Sequence, residues 1–453
     1  MSIENPSIKI QSKNNFLKSK LFTLLSLVFL LIIMGCAVNP VTGEKEFSVI
    51  TEAQELAIGK QNYPVTTQIN NGIFQDELLQ IYVDEIGENL SSFSHRPNLP
   101  YEFNVVNSST INAYALPGGK ISITRGLLSK LENEDQLAGI LGHEIGHVAA
   151  RHSASQMSKQ VLAGAVVAGF GAFLAAGDVK SRELYTMSSS IAAGLLLLRY
   201  SRVQETQSDY LGLEYMARAG YNPTGYLEAM KIIQRSQKTE PSRIKAMFRS
   251  HPLTSERVER IKAAINSTYS NREARPFKVQ QFMERTDYIN SLKEAYAHYD
   301  NGDRFIARRD FKRAEKEYKS AINLDNRQSV FHMGLAWTLL SQKKFNQARI
   351  SIRTSIRLYP DLFPSRFLAG IISYRLGDYN RALVDLKEAD ILIPSVPDVR
   401  LYKARCYEKL GNISKAIENY KDIVRIAPDS KEAGEAIEKL MKWGVIRKET
   451  TQQ

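Results

Sequence analysis

Cysteine is nearly absent from this 453-residue chain, with Cys36 and Cys406 the only two. A disulfide framework is therefore excluded, and if Cys36 is consumed by modification no internal bridge can form. Cys406 sits in an apolar helical context and reads as a core residue. The N-terminal apolar run, LFTLLSLVFLLIIM from Leu21 to Met34, has 14 residues. As a helix it spans about 21 Å, short of the roughly 30 Å hydrocarbon core of a bilayer. Histidine is scarce at seven residues, so any close pair stands out. Acidic residues are outnumbered, 48 against 60 Lys and Arg, for a net charge of +12. That excess is spread along both halves without a nucleic-acid-binding motif, which fits anionic lipid headgroups or acidic partners and not nucleic acid.

What stands out instead is LGHEIGHVAARH at 141–152. On a helix, positions i and i+4 share a face, so His143 and His147 can aim two imidazoles at one point. Zinc accepts neutral imidazole nitrogen, and a catalytic site takes three protein ligands with the fourth position left to water. Glu144, beside the first histidine, can take a proton from the attacking water, the role of the glutamate in H-E-x-x-H. Leu137, Ile140, Leu141, Ile145 and Val148 follow a helical period, and the acids of ENED at 132–135 favour a helix start near Glu134. Gly142 and Gly146 each cost about 1 kcal/mol of helix propensity, so their use is to admit another backbone or a substrate.

The third ligand must come from elsewhere. A histidine six residues after His147 would provide it, but Ser153 stands there and His152 misses by one. The alternative is a glutamate on a second helix, followed four residues later by an aspartate that holds a ligating imidazole by its other N–H. SRVQETQSD at 201–209 offers Glu205 and Asp209 in that relation.

Together, HEIGHVAARH, SRVQETQSD, NAYALPGGKISITRGLL at 112–128 and SHPLTSERVERI at 250–261 resemble the BepA/HtpX-like gluzincin metallopeptidase family, in that family's order and over about residues 45–270. The resemblance implies one Zn2+ held by His143, His147 and Glu205, with Glu144 as general base and Asp209 as the partner of a ligand. Ser208 replaces the alanine common before the aspartate. His251 approaches the metal in this reading, either as a reversible fourth ligand that blocks water or as a catalytic donor to the oxyanion. Arg257 and Arg260 read as helix-surface residues with a possible part in supporting that loop or the substrate. Ile121 and Ile123, alternating with Ser122 and Thr124 after the Pro117-Gly118-Gly119 turn, predict a half-exposed strand. A strand edge beside the site would bind an extended peptide through backbone hydrogen bonds.

Four lysines precede the Leu21–Met34 run, and Ile33-Met34-Gly35-Cys36 follows it like a bacterial lipobox. Residues 1–35 thus read as a lipoprotein signal peptide, and Cys36 as the lipidated first residue. Ala37 at the next position resembles sorting to the outer membrane, giving an anchor on the inner, periplasmic face of a Gram-negative outer membrane. VLAGAVVAGFGAFLAA at 161–176 and SIAAGLLLL at 190–198 read as helices packed by the active site, with membrane-surface contact as the alternative.

Beyond residue 285 the chain becomes periodic. Phe311, Phe345, Tyr379 and Ile413 recur every 34 residues, as do Ala314, Ala348, Ala382 and Ala416. Gly302, Ala336, Gly370 and Ala404 keep the same interval, as do Pro360, Pro394 and Pro428. This is the tetratricopeptide period, two antiparallel helices per unit stacked into a grooved solenoid. Residues 284–300 read as its helical lead-in and 430–443 as its capping helix. The expected fold is mostly α: an α+β peptidase domain at 36–285 with a small sheet beside the zinc helices, and an all-α repeat domain at 286–445. The family resemblance implies a zinc endopeptidase acting on misassembled outer-membrane proteins, with the repeats recruiting clients or the barrel-assembly machinery. The alternative is a chaperone or adaptor in which proteolysis is suppressed.

Overall fold

The structure is a computed structural model, and it describes residues 36–162, 192, 194–270 and 276–447. The expected signal segment 1–35 and most of the apolar stretch 161–198 lie outside the described residues. β1 (Cys36–Val38) and β2 (Lys45–Phe47) form a short antiparallel ribbon. α1 (Glu52–Ile69) follows, started by a capping box in which Thr51 and Gln54 satisfy each other's backbone N–H. Among the described residues no helix is long and apolar enough to cross a membrane.

The centre of the peptidase half is α4 (Glu134–Ala149), buried along its whole length. A helix so short of polar surface can only be a central one. It starts at Glu134, where the Asn133 side chain accepts from the Gln136 N–H at 2.9 Å. The acids of its first turn also act as joints. Glu134 accepts from the Tyr82 hydroxyl at 2.7 Å, and Asp135 from the backbone N–H groups of Asn222 and Lys278 at 2.7 and 2.8 Å. Packed around α4 are α2 (Glu77–Ser92), α6 (Arg202–Arg218) and α7 (Thr224–Thr239). The expected use of the glycines is visible here. A Cβ on Gly142 would lie 3.1 Å from the Gly212 carbonyl oxygen of α6, and one on Gly146 would lie 3.0 Å from Ser208 Cα.

A three-stranded mixed sheet lies against this core. β3 (Glu102–Val106), β4 (Ala113–Leu116) and β5 (Lys120–Thr124) run in the order β3-β5-β4, β3 parallel and β4 antiparallel to β5. The expectation of a half-exposed β5 fails: the strand is central and all five residues are buried. Its polar face is covered by α1, whose Tyr63 hydroxyl donates to the Ile121 carbonyl at 3.0 Å. β4 is an outer strand of the sheet, buried at all four positions, and among the described residues no strand pairs with its far side. Because Thr124 N–H donates to the Asn112 carbonyl, antiparallel alternation turns the backbone groups of Ala113 and Ala115 away from β5. Gly118 and Gly119 make the intervening turn with φ of +74° and +85°, conformations that side chains resist.

Short α3 (Arg125–Leu128), α5 (His152–Leu162), α8 (Pro241–Ser250) and α9 (Ser255–Thr268) complete the peptidase half. α10 (Gln280–Ser291) leads into the repeats and straddles residue 285, and the expected lead-in 284–300 runs on into the first repeat helix. The pairs are α11 (Lys293–Ala307) with α12 (Phe311–Leu324), α13 (Ser329–Ser341) with α14 (Phe345–Leu358), α15 (Phe363–Arg375) with α16 (Tyr379–Leu392), and α17 (Pro397–Lys409) with α18 (Ile413–Ile426). Each second helix begins on one of the four residues read from the period. The four repeat alanines, together with Ala336 and Ala404, are fully buried. α19 (Lys431–Lys442) closes the array. Cys406 lies in its core, where burial pushes the thiol up to about 12.

One apolar core runs from Phe74 in the peptidase half to Ile372 in the third repeat. Polar clasps reinforce it: Gln68 at the end of α1 donates to the Asp361 carbonyl and accepts from the Phe363 N–H, both at 2.8 Å. The Tyr359 hydroxyl accepts from the Ile73 N–H at 3.3 Å.

The backbone contact between α4 and α6 is testable at Gly212, where a Cβ would lie 2.9 Å from the His143 nitrogen. Gly212→Ala is expected to cost about 1–3 kcal/mol through overpacking and to weaken metal retention, read by thermal denaturation with metal analysis. An unchanged melting temperature would refute the contact.

Candidate metal centre

His143 and His147 stand one turn apart on α4 with their Nε2 atoms 3.1 Å from each other. Second partners fix both rings. Asp209 Oδ1 lies 3.1 Å from His143 Nδ1, so Nδ1 carries the proton and Nε2 keeps its lone pair. The other ring is fixed by a relay. His152 Nε2 lies 2.9 Å from Gln207 Oε1, an acceptor, so it donates there and leaves its Nδ1 free to accept. His147 Nδ1, 2.9 Å away, then donates to it, which again turns Nε2 inward as a lone pair. Burial holds His152 down to about 4 and His147 well below the usual imidazole range, so both rings are neutral at ordinary pH.

Glu205 reaches the same point from the first turn of α6, a start fixed by the Ser201–Gln204 capping box. Its Oε1 lies 3.4 Å from His147 Nε2, and its Oε2 lies 3.7 Å from His143 Nε2. His251, at the C-terminal end of α8, brings Nδ1 to 3.0 Å from Glu205 Oε1 and 3.4 Å from His143 Nε2. Each of His143, His147, Glu205 and His251 offers one ligand atom, all within 4.8 Å of one another and all buried. Burial raises the Glu205 carboxyl, but the opposing pull of His251 and Arg257 wins and sets it well below the usual range.

These residues fit a divalent cation. Inward lone pairs and an ionised carboxylate repel one another unless a positive charge sits among them, and the Arg257 guanidinium reaches only Oε2 of Glu205, leaving Oε1 to face the histidines. A nitrogen-rich set with one carboxylate suits zinc and its borderline neighbours. Glu144 lies beside the group, its Oε1 3.8 Å from His251 Nε2 and its Oε2 buried without a partner.

Arg257 corrects the surface reading. It is 3% exposed and grips Asp209 twice, Nε to Oδ2 and Nη2 to Oδ1 at 2.7 Å each, while Nη1 stands 2.5 Å from Glu205 Oε2. Thr254 caps α9 and turns its first turn inward, so the charge that amphipathic spacing assigned to water faces two buried carboxylates. Arg260, one turn later, is a surface residue paired with Glu256 at 3.0 Å. Three supporting residues had no place in the reading of the sequence. Besides His152, Tyr226 donates to Asp209 Oδ1 at 2.7 Å, and the Tyr200 ring stacks on His147 with centroids 3.9 Å apart. The signal for His152 was its own scarcity as a third histidine near the pair.

A histidine pair on one helix, a glutamate from the next and a free carboxylate alongside define a metallopeptidase-type centre. Residues 77–265 match the model of Peptidase family M48, and residues 292–363 and 374–440 match tetratricopeptide repeat models. The chain carries a Peptidase family M48 domain followed by tetratricopeptide repeats. It is 25% identical over 329 residues to a "Putative beta-barrel assembly-enhancing protease" of Vibrio cholerae, covering 71% of this chain and 64% of that protein. It is 33% identical over 219 residues to "Mitochondrial metalloendopeptidase OMA1" of Schizosaccharomyces pombe, covering 48% and 60%. It is 24% identical over 383 residues to "Beta-barrel assembly-enhancing protease" of Escherichia coli, covering 83% and 74%. The chain thus spans less than two thirds of the first two relatives.

Removing Arg257 leaves Asp209 and Glu205 buried beside each other with less positive charge. Arg257→Ala is expected to destabilise the metal-free protein by about 3–5 kcal/mol, with part of the loss recovered on adding zinc, as read by urea denaturation. Equal stability of variant and parent would contradict the clamp.

Proposed function

We propose that the protein is a zinc-dependent endopeptidase in which His143, His147 and Glu205 hold one Zn2+ and Glu144 is the general base. The observation that carries this reading is the buried four-residue group with the unpartnered Glu144 oxygen beside it. A zinc ion there supplies Lewis-acid polarisation of water and of the scissile carbonyl. Glu144 takes a proton from the attacking water and delivers it to the departing amine nitrogen. Asp209 and His152 keep the two ligating imidazoles in the tautomers that leave Nε2 bare. The β4 edge, with the backbone groups of Ala113 and Ala115 turned outward, aligns an extended substrate strand.

His251 supports a second reading. It stands with the ligands, so as a fourth ligand it would exclude water and hold proteolysis in check, leaving a chaperone or adaptor function to the repeats. The array leaves Trp337, Ile350, Val384 and Ile391 exposed, apolar side chains available to a client or a partner. Similarity to the two beta-barrel assembly-enhancing proteases supports outer-membrane proteins as clients and the barrel-assembly machinery as partner. The N-terminal sequence supports a lipid anchor at Cys36 and a periplasmic location at the outer membrane.

Glu144→Gln is expected to retain stoichiometric zinc by metal analysis while casein cleavage falls by about 10²- to 10⁴-fold. Cleavage at the parent rate by this variant would remove the endopeptidase assignment. In the parent background, His251→Ala is expected to raise the cleavage rate if His251 blocks water.

A further inference from the structure

A second cavity, of about 740 Å³, lies where α3, α7 and α8 of the peptidase half face α10 and α11. It has no part in the metal centre. Its wall carries five cationic side chains, Arg125, Lys130, Arg235, Arg243 and Lys293, against the acids Glu132 and Asp300. Glu240 binds both Lys130 and Arg243, and Asp300 also pairs with Arg243 at 3.3 Å. Arg125, Arg235 and Lys293 have no carboxylate within ion-pair distance among the described residues.

Arg125 is the unusual member. It is 3% exposed, and the groups it touches directly are neutral, with Asp300 and Arg243 the nearby charges that act on it. Nε donates to Asn107 Oδ1 at 3.1 Å, Nη2 donates to Ser109 Oγ, and the guanidinium lies 3.3 Å from the Tyr296 ring centroid. Nη1 has no hydrogen-bond partner among the described residues. Burying a cation without a counter-charge is costly, and a guanidinium does not escape by losing its proton. Burial pushes its proton affinity down, and Tyr296 and Asp300 offset that only in part. A cavity beside such a group, with two more unpaired cations on its wall, is arranged for an anion.

We propose that this cavity binds a phosphate monoester. A phosphate group with a charge of about −1.5 to −2 matches Arg125 together with Lys293 and Arg235 better than a single carboxylate does. Leu131, Ile232, Phe282 and Met283 on the same wall receive an apolar body attached to it, and the volume suits a small organic ligand. The phosphate belongs either to a soluble ester or to a lipid headgroup. Because the wall is shared between the peptidase half and the first repeat helices, an occupant would join the two.

The test uses the full chain stripped of metal, titrated calorimetrically with phenyl phosphate and, separately, with benzoate at constant ionic strength. Saturable phenyl phosphate binding is expected in the millimolar range or tighter, lowered roughly ten- to hundredfold in Arg125→Gln. Lys293→Ala is exposed and leaves the Tyr296 stack alone, and it is expected to weaken binding severalfold without changing the melting temperature. No saturable binding, benzoate binding as tight as phenyl phosphate, or unchanged affinity in both variants would each overturn the proposal. Competition by phosphatidic acid vesicles, and not by phosphatidylcholine vesicles, would make the source a lipid headgroup; no competition by either would make it a soluble ester.

Discussion

The backbones of α4 and α6 touch, and the candidate metal centre can form because they do. Gly142 and Gly146 on one helix and Gly212 on the other remove the Cβ atoms that would hold the axes apart. With the helices at that distance, a side chain as short as glutamate spans from α6 to two histidines of α4, and an aspartate one turn further reaches the back of the first imidazole. Larger residues at these positions would separate the helices and leave Glu205 short of the imidazoles. Helix propensity is given up at three places in exchange for one point at which His143, His147 and Glu205 meet.

Such a point concentrates negative charge. Among the described residues, Glu144, Glu205 and Asp209 are buried together with Arg257 as the one guanidinium in their midst, leaving carboxylates in excess. A divalent ion would balance them. The direction in which His251 moves is consistent with this: burial pulls its proton affinity down, yet Glu205 and then Glu144 raise it above its ordinary value, as expected beside a surplus of carboxylates. Arg257 pairs with both Asp209 and Glu205, and its Nη2 also lies 3.3 Å from His143 Nε2, so a bound ion would have to displace that last contact.

What could be read from the sequence follows from how local each feature is. The i, i+4 histidines and the helix start at Glu134 are written in one turn of chain, and the repeat helices announce themselves four times at one interval. Glu205 and Asp209 needed the family resemblance, because an E-x-x-x-D spacing alone describes many solvated helices. Arg257 was misread for a physical reason: spacing reports which helix face a charge lies on, and not whether that face meets water or a buried carboxylate. The same limit applies to β5. Alternation of Ile with Ser and Thr describes two faces of different polarity, but α1 covers the polar one, and position in the sheet is set by β3, whose residues lie well before the turn. Arg125 gave no signal, since its burial arises only when Tyr296 of the repeat half closes over it.

That closure bears on how the two halves can work together. α1 covers the sheet through Tyr63 and ends in Gln68, which clasps the backbone at Asp361 and Phe363 in the repeats. One helix is thus fixed at one end to the sheet that carries the β4 edge and at the other to the start of the third repeat. A continuous apolar core holds the first repeats to the peptidase half, so they are not a tethered module free to rotate. A client held by the array would therefore meet the β4 edge at a distance and orientation set by the fold, and selection among substrates would depend on the span between groove and metal centre as much as on side chains at the cleaved bond.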